Sequence, residues 1–150
     1  MRIHRCFIAT PLCKRNIQLF CFFLLLLTLV SCGGQKSADE YVKEGLEFTH
    51  KQEYRRAIDA FSSAIELDPD NIPAHYGLGG IYNAVNQLEK AEASFKHVLK
   101  LDPTHYNGLY SLGYTYELMG QKKKAQTYYE RSNRLKKKWQ AVLKNNPENS

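Results

Sequence analysis

Residues 72–105 read IPAHYGLGGIYNAVNQLEKAEASFKHVLKLDPTH, and the same pattern lies 34 residues earlier and 34 residues later in the chain. The recurring positions carry a glycine, an aromatic residue, an alanine and a second aromatic residue: Gly45, Gly79 and Gly113; Phe48, Tyr82 and Tyr116; Ala57, Ala91 and Ala125; Phe61, Phe95 and Tyr129. A fixed period of this length is typical of helical repeat proteins, whose units must stack to bury their apolar faces. The pattern therefore predicts an all-α solenoid.

The residue types at the repeated positions predict a pair of helices in each unit. Glycine costs a helix about 1 kcal/mol relative to alanine, so a recurring glycine indicates a close helix contact. The recurring alanine is expected to meet it from the second helix, with the aromatic residues filling the space between the helices. Asp68-Pro69 and Asp102-Pro103 keep the same phase, and proline ends a helix because it lacks the amide donor.

This pattern resembles the tetratricopeptide repeat over residues 38–139. The resemblance implies a right-handed α-solenoid of three helix pairs: 38–71, 72–105 and 106–139. Lys137 stands where the first two units have the helix-ending proline. The last helix is therefore expected to continue to about Leu143, with residues 140–150 forming the helix end and a disordered tail.

The first 31 residues are predicted to be a targeting segment rather than part of the fold. Four cations precede an almost continuous apolar run over residues 19–30, which is shorter than the roughly 20 residues of a spanning helix. The run ends in Leu29-Val30-Ser31-Cys32, which resembles the lipobox of bacterial lipoproteins. By that resemblance residues 1–31 are removed, Cys32 carries a covalent lipid, and residues 32–37 form a lipidated tether. The alternative is an uncleaved membrane anchor.

Lipidation would place the protein on a membrane, because two or more acyl chains hold a protein on a bilayer for long times. Gly33 follows the cysteine, and by resemblance to enterobacterial sorting this favours the outer membrane, facing the periplasm. The other three cysteines lie in the segment predicted to be removed, so no disulfide is expected in the mature chain. No cofactor is expected besides the lipid on Cys32.

Charge is unevenly distributed along the predicted mature chain. Residues 32–119 contain 8 basic and 13 acidic residues, whereas residues 120–150 contain 9 basic and 2 acidic residues. The last helix is either a solvated cap or a basic surface that meets an acidic partner or anionic lipid. Nucleic acid is not expected as a partner of an exported chain. Helical spacing predicts an apolar stripe on this helix that includes Trp139. It also predicts a different, basic face formed by Lys124, Arg131, Arg134 and Lys138.

The resemblance implies that the first helix of each pair lines a concave groove. Such a groove suits an extended peptide or an amphipathic helix of an envelope protein. Tyrosines in it would offer contact area with a hydrogen-bonding tip, although each could instead serve packing within the array. The predicted groove residues are Val42, Leu46, His50, Tyr76, Asn83, Tyr110, Tyr114 and Glu117.

One subclass of these repeats clamps the C-terminal carboxylate of heat-shock chaperones with lysine, arginine and asparagine. The corresponding positions here are Val42, Leu46, Gly77, Asn107 and Ser111. None of them carries a cation, so the carboxylate clamp is not expected.

The sequence contains no pattern typical of catalysis or metal binding. It lacks HExxH, CxxC and a phosphate-binding glycine loop, and its histidines show no paired ligand spacing. The chain is therefore predicted not to be an enzyme, with no metal and no small-molecule substrate. Two functions remain: a membrane-anchored adaptor that binds envelope proteins in its groove, or a membrane-surface structural protein whose basic last helix docks on anionic lipid or self-associates. Homo-oligomers are compatible with either.

Overall fold

The structure is a computed structural model that describes residues 36–144. The helices in this part of the chain are α1 (Ala38–His50), α2 (Tyr54–Leu67), α3 (Ile72–Ala84), α4 (Leu88–Leu101), α5 (Tyr106–Leu118) and α6 (Lys122–Lys144). They pack as three hairpins, α1 with α2, α3 with α4, and α5 with α6. The predicted all-α solenoid is confirmed, and α6 is helical up to Lys144, the last residue that the structure describes.

The predicted targeting segment and Cys32 lie outside the described residues, as do residues 145–150. The lipoprotein interpretation therefore stays a prediction. Within residues 36–144, no helix combines the length and the apolar character that crossing a membrane requires.

Local sequence explains where the helices begin and end. The Ser37 hydroxyl accepts a hydrogen bond from the Glu40 amide, and the Glu40 carboxylate accepts one from the Ser37 amide, which forms a capping box for α1. The Asn71 side chain caps α3 by accepting a hydrogen bond from the Ala74 amide. Helices α2 and α4 end directly before the two Asp-Pro steps, as predicted.

The repeat extends to the backbone of the hairpin turns. Each turn contains one residue with positive φ: Gln52 (59°), Asn86 (59°) and Gly120 (74°). These residues are spaced at the repeat period, so the three hairpins turn in the same way although only one uses glycine.

The core is built from aromatic rings that lie against glycines. A Cβ atom placed on Gly45 would lie 2.8 Å from the Phe61 ring, and one on Gly77 would lie 2.5 Å from the same ring. Phe61 therefore fills the space between its own hairpin and the next. In the second hairpin, a Cβ atom on Gly79 would lie 2.7 Å from the Phe95 ring. Both phenylalanines are almost fully buried.

The close contact predicted between glycine and alanine is found most directly in the third hairpin. There a Cβ atom on Gly113 would lie 3.2 Å from the Ala125 carbonyl oxygen and 2.8 Å from the Tyr129 ring. In all three hairpins the nearest neighbour of the glycine is an aromatic ring. The glycine thus accommodates the ring, which stands one helical turn after the alanine.

Candidate binding groove

The concave side of the array is lined by the first helix of each hairpin. Helix α1 packs against α3, and α3 packs against α5. The second helices, α2, α4 and α6, make no such contact with one another in the described part of the chain. Because only the first helices of neighbouring units touch, the array curves toward α1, α3 and α5.

A cavity of about 300 Å³ opens between α3 and α5. Gly80 lies at the repeat position that holds Leu46 in the first unit and Tyr114 in the third. A Cβ atom on Gly80 would meet no other atom within 4 Å. The absence of a side chain at this position therefore contributes to the open space. The other walls come from Asn83, Ala84, Phe95, Tyr110, Ser111 and Tyr114.

Gly80 was not among the predicted groove residues, although the sequence contained a signal for it. Comparison of Leu46, Gly80 and Tyr114 at one repeat position shows a side chain missing from the central unit alone. If first helices line the groove, such a gap predicts a pocket there.

Two predicted groove residues, Tyr110 and Tyr114, present aromatic surface at this cavity. They are 55% and 44% exposed and lie one turn apart on the same face of α5. The Tyr110 ring centroid lies 5.1 Å from that of Tyr129 on α6, which supports the ring from one side. Tyr110 and Tyr114 therefore flank the cavity with large, partly exposed rings.

Two other predicted groove residues join neighbouring units. The Tyr76 hydroxyl lies 3.3 Å from the Ser111 hydroxyl, and its ring lies edge-on to that of Phe95 with centroids 5.7 Å apart. The Asn83 amide donates to the Thr115 hydroxyl oxygen at 3.0 Å. These contacts hold α3 against α5 and fix the width of the cavity. The main role of Tyr76 and Asn83 is therefore to pack neighbouring units of the array together.

The remaining predicted groove residues lie in different environments. Leu46 is 48% exposed and adds apolar surface on α1. His50 is exposed at the end of α1, and the Glu117 carboxylate accepts a hydrogen bond from the Tyr129 hydroxyl. Val42 does not present a free side chain to the groove. It is buried in the core of the first unit, because α3 packs against α1 at this point.

A polar contact joins α4 to α5 behind the groove. The buried Tyr116 hydroxyl donates to Glu92 Oε1 at 2.8 Å, and Lys96 Nζ lies 2.7 Å from the same oxygen. The hydrogen bonds from Lys96 and Tyr116 lower the pKa of the Glu92 carboxyl. Burial and the neighbouring carboxylate raise the pKa of Tyr116 to about 12. At neutral pH the phenol therefore stays protonated and donates to a charged acceptor, which strengthens the contact.

The four predicted basic residues of α6 are placed on one face of the helix by their spacing. Lys124 Nζ lies 5.0 Å from the centroid of the Tyr116 ring, and the Arg131 guanidinium lies 5.5 Å from that of Tyr128. All four residues are exposed to solvent. Part of this basic face thus packs on aromatic rings of the array, and part is free.

The histidines of α3 and α4 pack against each other. The rings of His75 and His97 lie with their centroids 4.0 Å apart, and a nitrogen of His75 lies 2.9 Å from the Pro69 carbonyl oxygen. Among residues 36–144, no group of three or more histidine, cysteine, aspartate or glutamate side chains is arranged to hold a metal ion.

Comparison with known families identifies the repeats. Residues 45–84 match a family described as TPR repeat, and residues 72–105 and 94–127 each match one described as tetratricopeptide repeat. The matches overlap and together cover residues 45–127. The chain therefore contains tetratricopeptide repeats, as the resemblance in its sequence implied.

Individual relatives share parts of the chain. Protein bimA of Emericella nidulans is 36% identical over 52 residues, which are 35% of this chain, and the chain spans 6% of its length. The crystal structure of MamA matches with a TM-score of 0.67 and 27% identity, over 70% of this chain and 61% of that chain. The second TPR of Spaghetti (RPAP3), bound to the HSP90 peptide SRMEEVD, matches with a TM-score of 0.64 and 21% identity, over 67% and 93%. This last likeness shows the fold alone.

Proposed function

We propose that this chain is a non-catalytic scaffold that binds a segment of another protein in its concave groove. The observation that carries the proposal is the cavity at Gly80, flanked by the exposed rings of Tyr110 and Tyr114. Tyrosine is enriched at binding hot spots because a large rigid ring carries a hydrogen-bonding tip. The tetratricopeptide fold supports a role in protein interaction.

The chemistry of the groove suggests which kind of segment it binds. A cavity of about 300 Å³, at the lower end of ligand pockets, suits a single large side chain rather than a cofactor. We expect the partner to be an extended peptide or an amphipathic helix that inserts an apolar or aromatic side chain between the two tyrosines. The five positions of the carboxylate clamp lack a cation, so an acidic peptide such as SRMEEVD, present in the RPAP3 structure, is not the expected ligand.

We propose further that the scaffold is held on a bacterial envelope membrane by lipid on Cys32, with the outer membrane facing the periplasm as the favoured place. The support is the sequence of a charged head, an apolar run and Leu29-Val30-Ser31-Cys32. Helix α1 begins directly after its cap, Ser37. Five residues of extended chain reach at most about 18 Å, so the lipid would hold the array close to the bilayer.

Replacement of Cys32 by serine is expected to abolish lipidation and to leave the precursor uncleaved, because the lipid is joined through the cysteine sulfur. Incorporation of labelled palmitate in cells, together with the gel mobility of the product, measures both effects. The matched control is Cys21→Ser within the apolar run, which should be labelled and processed normally. Labelling of the Cys32→Ser protein at the unaltered level would contradict the lipoprotein proposal.

A photo-crosslinking amino acid in place of Tyr114 is expected to form a discrete adduct with an envelope protein in intact cells. The position borders the cavity and is partly exposed, so a bound segment would lie within reach of the probe. The same probe in place of Ala93, an exposed residue of α4, is the matched control. Adducts that are equally abundant from both positions, or absent from position 114, would argue against binding in the groove.

A further inference from the structure

The end of α6 projects beyond the hairpin to which its first half belongs. The Ser132 hydroxyl donates to the carbonyl oxygen of Tyr106, the first residue of α5, at 2.7 Å. Because α5 and α6 are antiparallel, the residues that follow Ser132 extend past the start of α5. Residues 136–144 are all exposed, including Trp139 at 51%.

The projecting segment carries an apolar stripe with cations on both edges. At about 100° per residue, Leu135, Trp139, Val142 and Leu143 lie within one sector of α6. Val142 and Leu143 are 52% and 55% exposed. At the same angular spacing, Lys138 borders the stripe on one side and Lys136 borders it on the other. Residues 131–144 contain six basic residues and no acidic residue: Arg131, Arg134, Lys136, Lys137, Lys138 and Lys144.

Trp139 is not seated against the body of the array. A cavity of about 260 Å³ lies beside its side chain, lined by Thr104, Leu135, Lys138 and Val142. The ring is thus half exposed and next to open space, although its position on the helix continues the face that is buried at Ala125 and Ser132. The fold of residues 36–144 therefore leaves this apolar surface uncovered.

We propose that residues 135–144 dock on the surface of a bilayer that contains anionic phospholipid. Tryptophan is favoured at the boundary between headgroups and acyl chains, and valine and leucine beside it would enter the apolar layer. The flanking lysines would lie at the level of the anionic headgroups, which attract them. The stripe and its two cationic edges match this layered environment. The proposal is independent of the groove and of lipid on Cys32.

The charges of the segment favour a bilayer over a second copy of the chain. A symmetric dimer through this stripe would place Lys136 and Lys138 of one copy next to the same residues of the other, because an isologous contact repeats one patch on both sides. Like charges would then be forced together. An anionic bilayer instead provides negative charge along both edges of the stripe and an apolar layer below it.

The fluorescence of Trp139 tests the proposal, because it is the single tryptophan of the chain. Full-length protein is bound to vesicles of phosphatidylcholine alone or of phosphatidylcholine with phosphatidylglycerol. We expect a blue shift of the emission, and quenching by brominated acyl chains, with the anionic vesicles only. Salt that shortens the Debye length from about 10 Å toward 3 Å should reverse both signals. The N-terminal segment contains no tryptophan, so attachment through it alone would not bring the Trp139 ring into contact with the brominated acyl chains.

Two triple variants provide the specificity control. Substitution of Lys136, Lys137 and Lys138 by glutamine is expected to weaken binding to the anionic vesicles at least tenfold, because each cation near an anionic surface contributes about a fivefold change in affinity. Substitution of residues 122–124, also three exposed lysines of α6, removes the same charge far from Trp139 and should have little effect. Helix content measured by circular dichroism verifies that both variants fold. No shift with anionic vesicles, equal loss in both variants, or a shift that depends on protein concentration without lipid would overturn the proposal.

Discussion

Replacement of Phe95 by alanine is expected to lower the free energy of unfolding by about 3–5 kcal/mol. The Phe95 ring is 1% exposed and is the nearest neighbour of Gly79 on α3. It also lies edge-on to Tyr76 and forms a wall of the groove cavity. Removal of the ring would leave a void in the central unit, which shares an interface with both of its neighbours. The loss therefore affects the whole array rather than one end of it.

Urea denaturation followed by circular dichroism measures the effect of Phe95→Ala. Phe95→Leu keeps much of the buried volume and should lose clearly less. Phe48→Ala is the matched control, because this phenylalanine is only partly buried and lies under the Arg56 guanidinium, 4.0 Å from the ring centroid. If Phe95→Ala cost no more than Phe48→Ala, the ring would not occupy the space between the helices.

The adjacent glycines of α3 are expected to respond in opposite directions to alanine. Both lie inside the helix, so each substitution gains up to about 1 kcal/mol of intrinsic helix propensity. At Gly79 the new Cβ atom would lie 2.7 Å from the buried Phe95 ring, whereas at Gly80 it would meet nothing within 4 Å. Overpacking at Gly79 should lower stability by about 1–3 kcal/mol. Gly80→Ala should raise it by about 0.5–1 kcal/mol.

The difference in unfolding free energy between Gly79→Ala and Gly80→Ala isolates the ring contact, because the propensity gain is common to both. Thermal or chemical denaturation of the two proteins under identical conditions provides it. A change of the same sign and size in both variants would mean that α3 and α4 are not in close contact at Gly79.

The period of the sequence was sufficient to predict the helices, because burial at each repeat position recurs when units stack. The Asp-Pro steps marked the ends of α2 and α4 to within one residue, and the loss of the third proline at Lys137 predicted the long α6. Periodicity indicates which face of a helix points inward. It does not identify which atom meets that face. The sequence predicted that Ala91 would meet Gly79, whereas the nearest neighbour of Gly79 is the ring of Phe95.

The groove was less predictable, because equal repeat positions have unequal neighbours. Val42, Tyr76 and Tyr110 occupy one position in the three units. Val42 is 9% exposed and Tyr110 is 55% exposed. Val42 and Tyr76 are covered by the first helix of the following unit. In residues 36–144 no further hairpin follows Tyr110. Exposure in a short array thus depends on the unit as well as on the repeat position.

The most direct test of groove binding is the Tyr114 photo-crosslink repeated in the Gly80→Leu protein. A leucine side chain at residue 80 would extend into the cavity without a clash at its Cβ atom, so the array should remain at least as stable. We expect the yield of the partner adduct to fall about tenfold, which corresponds to roughly 1.4 kcal/mol of lost binding free energy. An unchanged yield from a folded Gly80→Leu protein would show that the cavity is not where the partner binds.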